Sequence, residues 1–159
     1  MTSISATVPL RTDRQRAAAC LSSDPRSLLG DEVGVELRRG PTIRQHVAVE
    51  LGAPATVGDS TRWPLSWRPV GHAKALPAFA GTLELSEHDD GTTTLQVTGA
   101  YRPPLGLVGI IVDGAIGHRL AEASIEHFAA GLARRLDRAS VLREGPRRGP
   151  ERGPDLRPA

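Results

Sequence analysis

From Phe79 to Tyr101 apolar and polar positions alternate. Leu83 and Leu85 alternate with Thr82 and Glu84; Leu95, Val97 and Tyr101 alternate with Thr94, Gln96 and Thr98. A period of two is the mark of a half-buried strand. Between the two runs lies His88-Asp89-Asp90-Gly91, and Asp-Gly is a hairpin-turn dipeptide. The pattern therefore predicts a β-hairpin. Pro103-Pro104 ends it, since neither residue can donate to a ladder. The period then becomes helical. Ile111, Gly114, His118, Ala121, Ile125, Phe128, Leu132 and Leu136 follow steps of three and four and form one stripe. A long C-terminal helix is predicted, about Leu107 to Arg138. A hairpin leading through a Pro-Pro corner into such a helix implies a curved sheet wrapped around it, with a hollow between the two.

The same reading supplies the remaining elements. Ile4, Ala6, Val8 and Leu10 alternate as a first strand. Thr12-Asp13 can cap a short helix, about Asp13 to Leu21. Asp24-Pro25 starts a second helical turn, Arg26 to Leu29, that stops at Gly30. Val33, Val35 and Leu37 mark a strand, and Gly40-Pro41 a turn. Ile43, Gln45, Val47, Val49 and Leu51 share one parity in the next strand. Trp63, Leu65 and Trp67 mark another, which Pro64 and Pro69 make an edge strand or a bulged one. The expected fold class is α+β: a curved antiparallel sheet of about six strands around the C-terminal helix, with two short helices after the first strand.

The 159 residues fit one domain with tails. Residues 1–142 are read as the domain. Residues 143–159 carry Gly-Pro three times among arginines and are read as a disordered tail, too poor in apolar groups to offset their ordering entropy. The net charge of +2, with acidic and basic residues interspersed, argues against a nucleic-acid binder. The lone Cys20 excludes an internal disulfide and a multi-cysteine metal site. No apolar run is long enough for a membrane span, and the first residues lack a signal-peptide core, so a cytoplasmic protein is expected.

Familiar catalytic signatures are missing. There is no GxGxxG after a strand, no Walker loop and no HExxH. His118 and His127 lie on opposite helix faces and cannot share a metal. Asp89-Asp90 reads as a turn. No cofactor and no metal are expected. His118 is the sharpest candidate. Gly114 and Ala121 flank it on an otherwise bulky stripe, and small residues there leave room near the start of the helix. His118 either reaches into a cavity, to bond a ligand or to act as acid or base, or bonds Glu122 one turn on. A second stripe, Val108, Val112, Ala115, Ile116, Leu120 and Ala123, fits a wide buried face; the alternatives are a homodimer or membrane-surface contact.

Taken together, these residues resemble the START-like helix-grip superfamily, and within it the SRPBCC branch of polyketide cyclase/dehydrase-like proteins. The resemblance rests on Asp24-Pro25, on Phe79-x-Gly81-x-Leu83-x-Leu85, on Thr94-x-Gln96-x-Thr98-Gly99-x-Tyr101-x-Pro103-Pro104, and on His118-Arg119-x-Ala121-Glu122. It covers about residues 3 to 139. It implies a hollow lined by the concave sheet face and the long helix, with Gln45, Val47, Trp63, Trp67, Leu83, Val97 and Tyr101 facing it and Phe79 near a rim. The ligand-cavity candidates are thus Gln45, Trp63, Trp67, Phe79, Tyr101, Gly114, His118 and Ala121. The leading expectation is binding of a small apolar or amphipathic, lipid-like or polyketide-like molecule without chemistry. The alternatives are a cyclase/dehydratase-type enzyme using His118 or Tyr101 as acid/base, and an interaction module with a filled core.

Overall fold

The structure is a computed structural model, and it describes residues 3–36, 42–71, 78–102 and 114–144. Strand β1 (Ser3–Leu10) is followed by helices α1 (Arg14–Ser23) and α2 (Pro25–Leu29). A meander follows: β2 (Glu32–Glu36), β3 (Thr42–Leu51), β4 (Ala55–Val57), β5 (Ser60–Pro69), β6 (Ala78–Glu87) and β7 (Thr93–Arg102). Helix α3 (Gly114–Glu144) follows last among the described residues.

Every pairing is antiparallel. The strand order is β1-β7-β6-β5-β3-β2, with the short β4 paired to β5 beyond the end of β3. Helix α3 touches both β1 and β2, which occupy opposite ends of that order. A flat sheet of six strands could not bring both ends to one helix, so the sheet is curled around α3. This is the helix-grip architecture, with the two short helices following the first strand.

The local causes follow the sequence. Asp13 caps α1 by accepting from the Arg16 amide at 2.9 Å, and Asp24 caps α2 by accepting from the Ser27 amide at 3.2 Å. Pro25 occupies the first turn of α2, where its missing donor costs nothing. In the β6–β7 hairpin the His88 carbonyl accepts from the Gly91 amide at 2.8 Å, and Gly91 takes φ of 79°. That left-handed position suits glycine. Asp90 accepts from the amide and hydroxyl of Thr92, which ties down the turn.

Three expectations are corrected. Strand β5 is central, with β6 on one side and β3 and β4 on the other, so it is not an edge strand. Pro64 is tolerated there because of where its lost bond falls. Its carbonyl accepts from the Gly52 amide, and the return bond would run to Gly52, one residue past the end of β3. The missing donor therefore sits at the end of a ladder. Strand β4 was not anticipated. Helix α3 continues past Arg138 to Glu144, into the first two residues assigned to the tail. The expected start near Leu107, the Gly40-Pro41 turn, the Pro-Pro corner and the tail from 145 lie outside the described residues.

The core lies between the inner sheet face and α3. From β5 it takes Trp63, Leu65 and Trp67, from β6 Phe79, Leu83 and Leu85, and from β7 Leu95 and Val97. Ala121, Ile125, Phe128, Leu132 and Leu136 face them from the predicted helix stripe. Leu120 and Ala123 of the second stripe pack against this core, while Val108 and Val112 fall outside the described residues. Cys20 is buried, with Sγ 3.8 Å from the Ser140 hydroxyl.

Candidate functional site

Two groups of candidate residues separate along α3. The first is aromatic. Trp67 of β5 stacks on Phe79 of β6, with ring centroids 4.3 Å apart and planes at 21°. Phe128 of α3 lies tilted against Trp67, with centroids 5.1 Å apart and planes at 40°. Sheet and helix therefore touch ring to ring in the middle of the grip. Phe79, expected near a rim, is buried in this stack. Trp63 is 1% exposed, and Gln45 and Ala121 are also buried. All of them belong to the core between sheet and helix or are buried against it.

The second group lies toward the N-terminal end of α3. The Tyr101 ring on β7 is 6.3 Å from the His118 ring, with planes at 36°. His118 Nε2 is 3.0 Å from Glu122 Oε1, one helical turn on. A carboxylate accepts only, so this contact places a proton on Nε2. His118 Nδ1 is buried and has no hydrogen-bond partner among the described residues. The contact with Glu122 is the one the i, i+4 spacing offered. One nitrogen bonds Glu122, and the other is buried without a partner among the described residues, near the Tyr101 ring. Gly114 begins the described part of α3, one turn before His118.

His118 and Tyr101, alternatives for acid/base in the sequence, lie ring beside ring in the fold. Phe128 is absent from the sequence candidates, although it lies on the same helical stripe as His118. Among the described residues no cluster of three His, Cys, Asp or Glu side chains could hold a metal ion. No helix there is long and apolar enough to cross a membrane.

No family model matches the chain, and no curated protein matches it. Solved structures do. The protein TTHA0849 from Thermus thermophilus is similar at 17% identity over 87% of this chain and 99% of that chain, with a TM-score of 0.43. Ara h 8.0201 is similar at 12% identity over 89% and 98%, with a TM-score of 0.49. The Zhui aromatase/cyclase from Streptomyces sp. R1128 is similar at 13% identity over 90% and 95%, with a TM-score of 0.47. The chain's own strand order and its helix held by both sheet edges make it a helix-grip protein.

Proposed function

We propose that this protein binds a small apolar or amphipathic molecule between the curled sheet and α3, toward the N-terminal end of that helix. The buried Nδ1 of His118, without a hydrogen-bond partner among the described residues, carries the reading. A buried polar atom without a partner costs free energy on the order of 1–3 kcal/mol, part of which a hydrogen-bonding group on a ligand would offset. Glu122 fixes the orientation of the ring through Nε2. The Tyr101 ring supplies an aromatic wall beside it. The ligand is therefore an apolar body with one hydrogen-bonding group. The Trp67–Phe79–Phe128 stack already occupies the middle of the grip, which directs the ligand to the His118 end.

The same juxtaposition favours one second reading. His118 as base and Tyr101 as acid on one substrate would suit a cyclisation or dehydration. Native mass spectrometry of the purified protein, followed by titration with an apolar fluorescent probe, tests the first reading. The His118→Ala change separates the two. In a binding protein the affinity falls about fivefold or less, the net scale of one hydrogen bond. In an enzyme, turnover falls on the order of a hundredfold or more. Absence of both a copurifying molecule and probe uptake would overturn the binding reading.

A further inference from the structure

The C-terminal end of α3 carries a second feature, about 36 Å along the helix from His118 at 1.5 Å per residue. A groove of about 590 Å³ runs there between α3 and the β1–α1 corner. Arg11, Arg16, Arg134 and Arg138 line it, with Asp137 as its carboxylate. All four arginines are exposed. Asp137 Oδ1 is already engaged, accepting from the amides of Arg11 and Thr12 at 3.0 and 3.1 Å. Arg16 pairs with Asp13. Arg11, Arg134 and Arg138 have no carboxylate partner among the described residues. The site is thus a fixed excess of guanidinium charge that asks for an anion.

Its rim is apolar. Val141 and Leu142 are 68% and 80% exposed, two of the four exposed large hydrophobic residues among those described. Steps of four carry Arg134 to Arg138 and on to Leu142, so charge and apolar surface share one outer stripe of the helix. The fifteen residues beyond Glu144 contain four arginines against one glutamate and one aspartate, so in composition they repel this groove rather than fill it. A nucleic acid would answer the arginines and leave Val141 and Leu142 in water. A bilayer with anionic headgroups answers both.

We propose that this end of α3 docks on an anionic membrane surface, with Arg11, Arg134 and Arg138 against lipid phosphates and Val141 and Leu142 inserted at the interface. The contact is peripheral and electrostatic, so added salt weakens it. It is independent of the ligand reading above, because none of its residues belongs to the His118 end.

The test is co-sedimentation of the full chain with vesicles of phosphatidylcholine alone, and of phosphatidylcholine and phosphatidylglycerol in equal parts. Binding is expected only to the second kind. The double change Arg134→Ala, Arg138→Ala should lower the partition coefficient about thirtyfold, roughly a factor of five for each arginine near an anionic surface. Val141→Ser with Leu142→Ser should lower it roughly tenfold by removing the inserted apolar area. A second measurement keeps the native charges. Cys20 is the one cysteine in the sequence and is buried, so Leu142→Cys accepts an environment-sensitive fluorophore, whose emission should shift to the blue on the anionic vesicles. Equal binding to both vesicle types would overturn the proposal, as would full binding by the double arginine variant. So would binding of an RNA oligonucleotide or a polyglutamate peptide without vesicle binding, which would name a soluble polyanion as the partner.

Discussion

Gly81 and Gly99 face each other across β6 and β7, and the Phe79 ring lies over both. A methyl group at Gly81 would stand 2.1 Å from the Thr98 carbonyl oxygen and 2.6 Å from Gly99 Cα. At Gly99 it would meet the Ala80 carbonyl oxygen at 2.4 Å and Phe79 Cζ at 2.7 Å. The two strand backbones approach so closely that neither position can carry a side chain, as at a tight bend in a curled sheet. Replacing either glycine by alanine is expected to cost about 3 kcal/mol, the upper part of the range for overpacking, because backbone and not a flexible side chain blocks the methyl. Urea denaturation of Gly81→Ala and Gly99→Ala measures it. A loss under about 1 kcal/mol would show that the strands can part without cost.

The Trp67–Phe128 contact joins the sheet to α3 at the core of the grip. Phe128→Ala should destabilise by about 3–5 kcal/mol, the usual cost of emptying a buried aromatic site. A double-mutant cycle with Trp67→Leu should return a coupling of about 0.5–1.5 kcal/mol beyond area burial. Simple additivity in thermal melts would show that the rings are neighbours without a specific interaction.

Arg135 closes a different joint. From α3 its guanidinium donates to the carbonyls of Leu28 and Leu29 at the end of α2. Those carbonyls have no helical partner of their own. Burial, with Arg134 close by, lowers the Arg135 pKa, yet the group stays protonated through ordinary pH. Arg135→Ala should cost about 1–3 kcal/mol and speed amide exchange around Gly30, since it orphans two acceptors. Arg135→Lys should recover only part of this, as a point donor cannot reach both carbonyls in the arginine's fixed geometry.

One pH effect is built into the sheet. Glu84 and Arg62 are cross-strand partners, with Arg62 Nε 2.9 Å from Glu84 Oε2. Burial works against the Glu84 charge, but hydrogen bonds from Arg62, Ser60 and Ser86 and the Arg62 charge outweigh it, and the pKa is lowered. A lowered folded pKa means stability that is fully present above the unfolded value, about 4.3, and lost as pH falls through the folded value. Wild type and Glu84→Gln should therefore differ in melting temperature at neutral pH and converge at acid pH. A constant difference across that range would assign the effect to shape and not to charge.

How much of this was legible in the chain depends on the range of the interaction. Capping by Asp13, the helix start at Asp24-Pro25, the Asp90-Gly91 turn and the alternation around Trp63, Trp67 and Leu83 are local, and residue type and periodicity exposed them. Pro64 misled because its residue type speaks of edges, while its cost depends on what lies opposite. That was the end of β3, which no local pattern marks. The Tyr101–His118 pair joins β7 to α3 through residues whose placement periodicity does not set. The arginine groove was the least legible part. Arg11 and Arg16 lie more than a hundred positions from Arg134 and Arg138, and scattered in sequence they read as ordinary surface charge.

Strand β1 pairs with β7 and packs against α3, and both of these are made long after it during synthesis. A nascent chain therefore emerges with its first strand unpaired. The meander keeps an open edge until β7 and α3 have left the ribosome. Contacts this distant make folding slow and post-translational in character. For as long as α3 is missing, the inner sheet face with its tryptophans is the surface on which a chaperone or a second nascent chain would act.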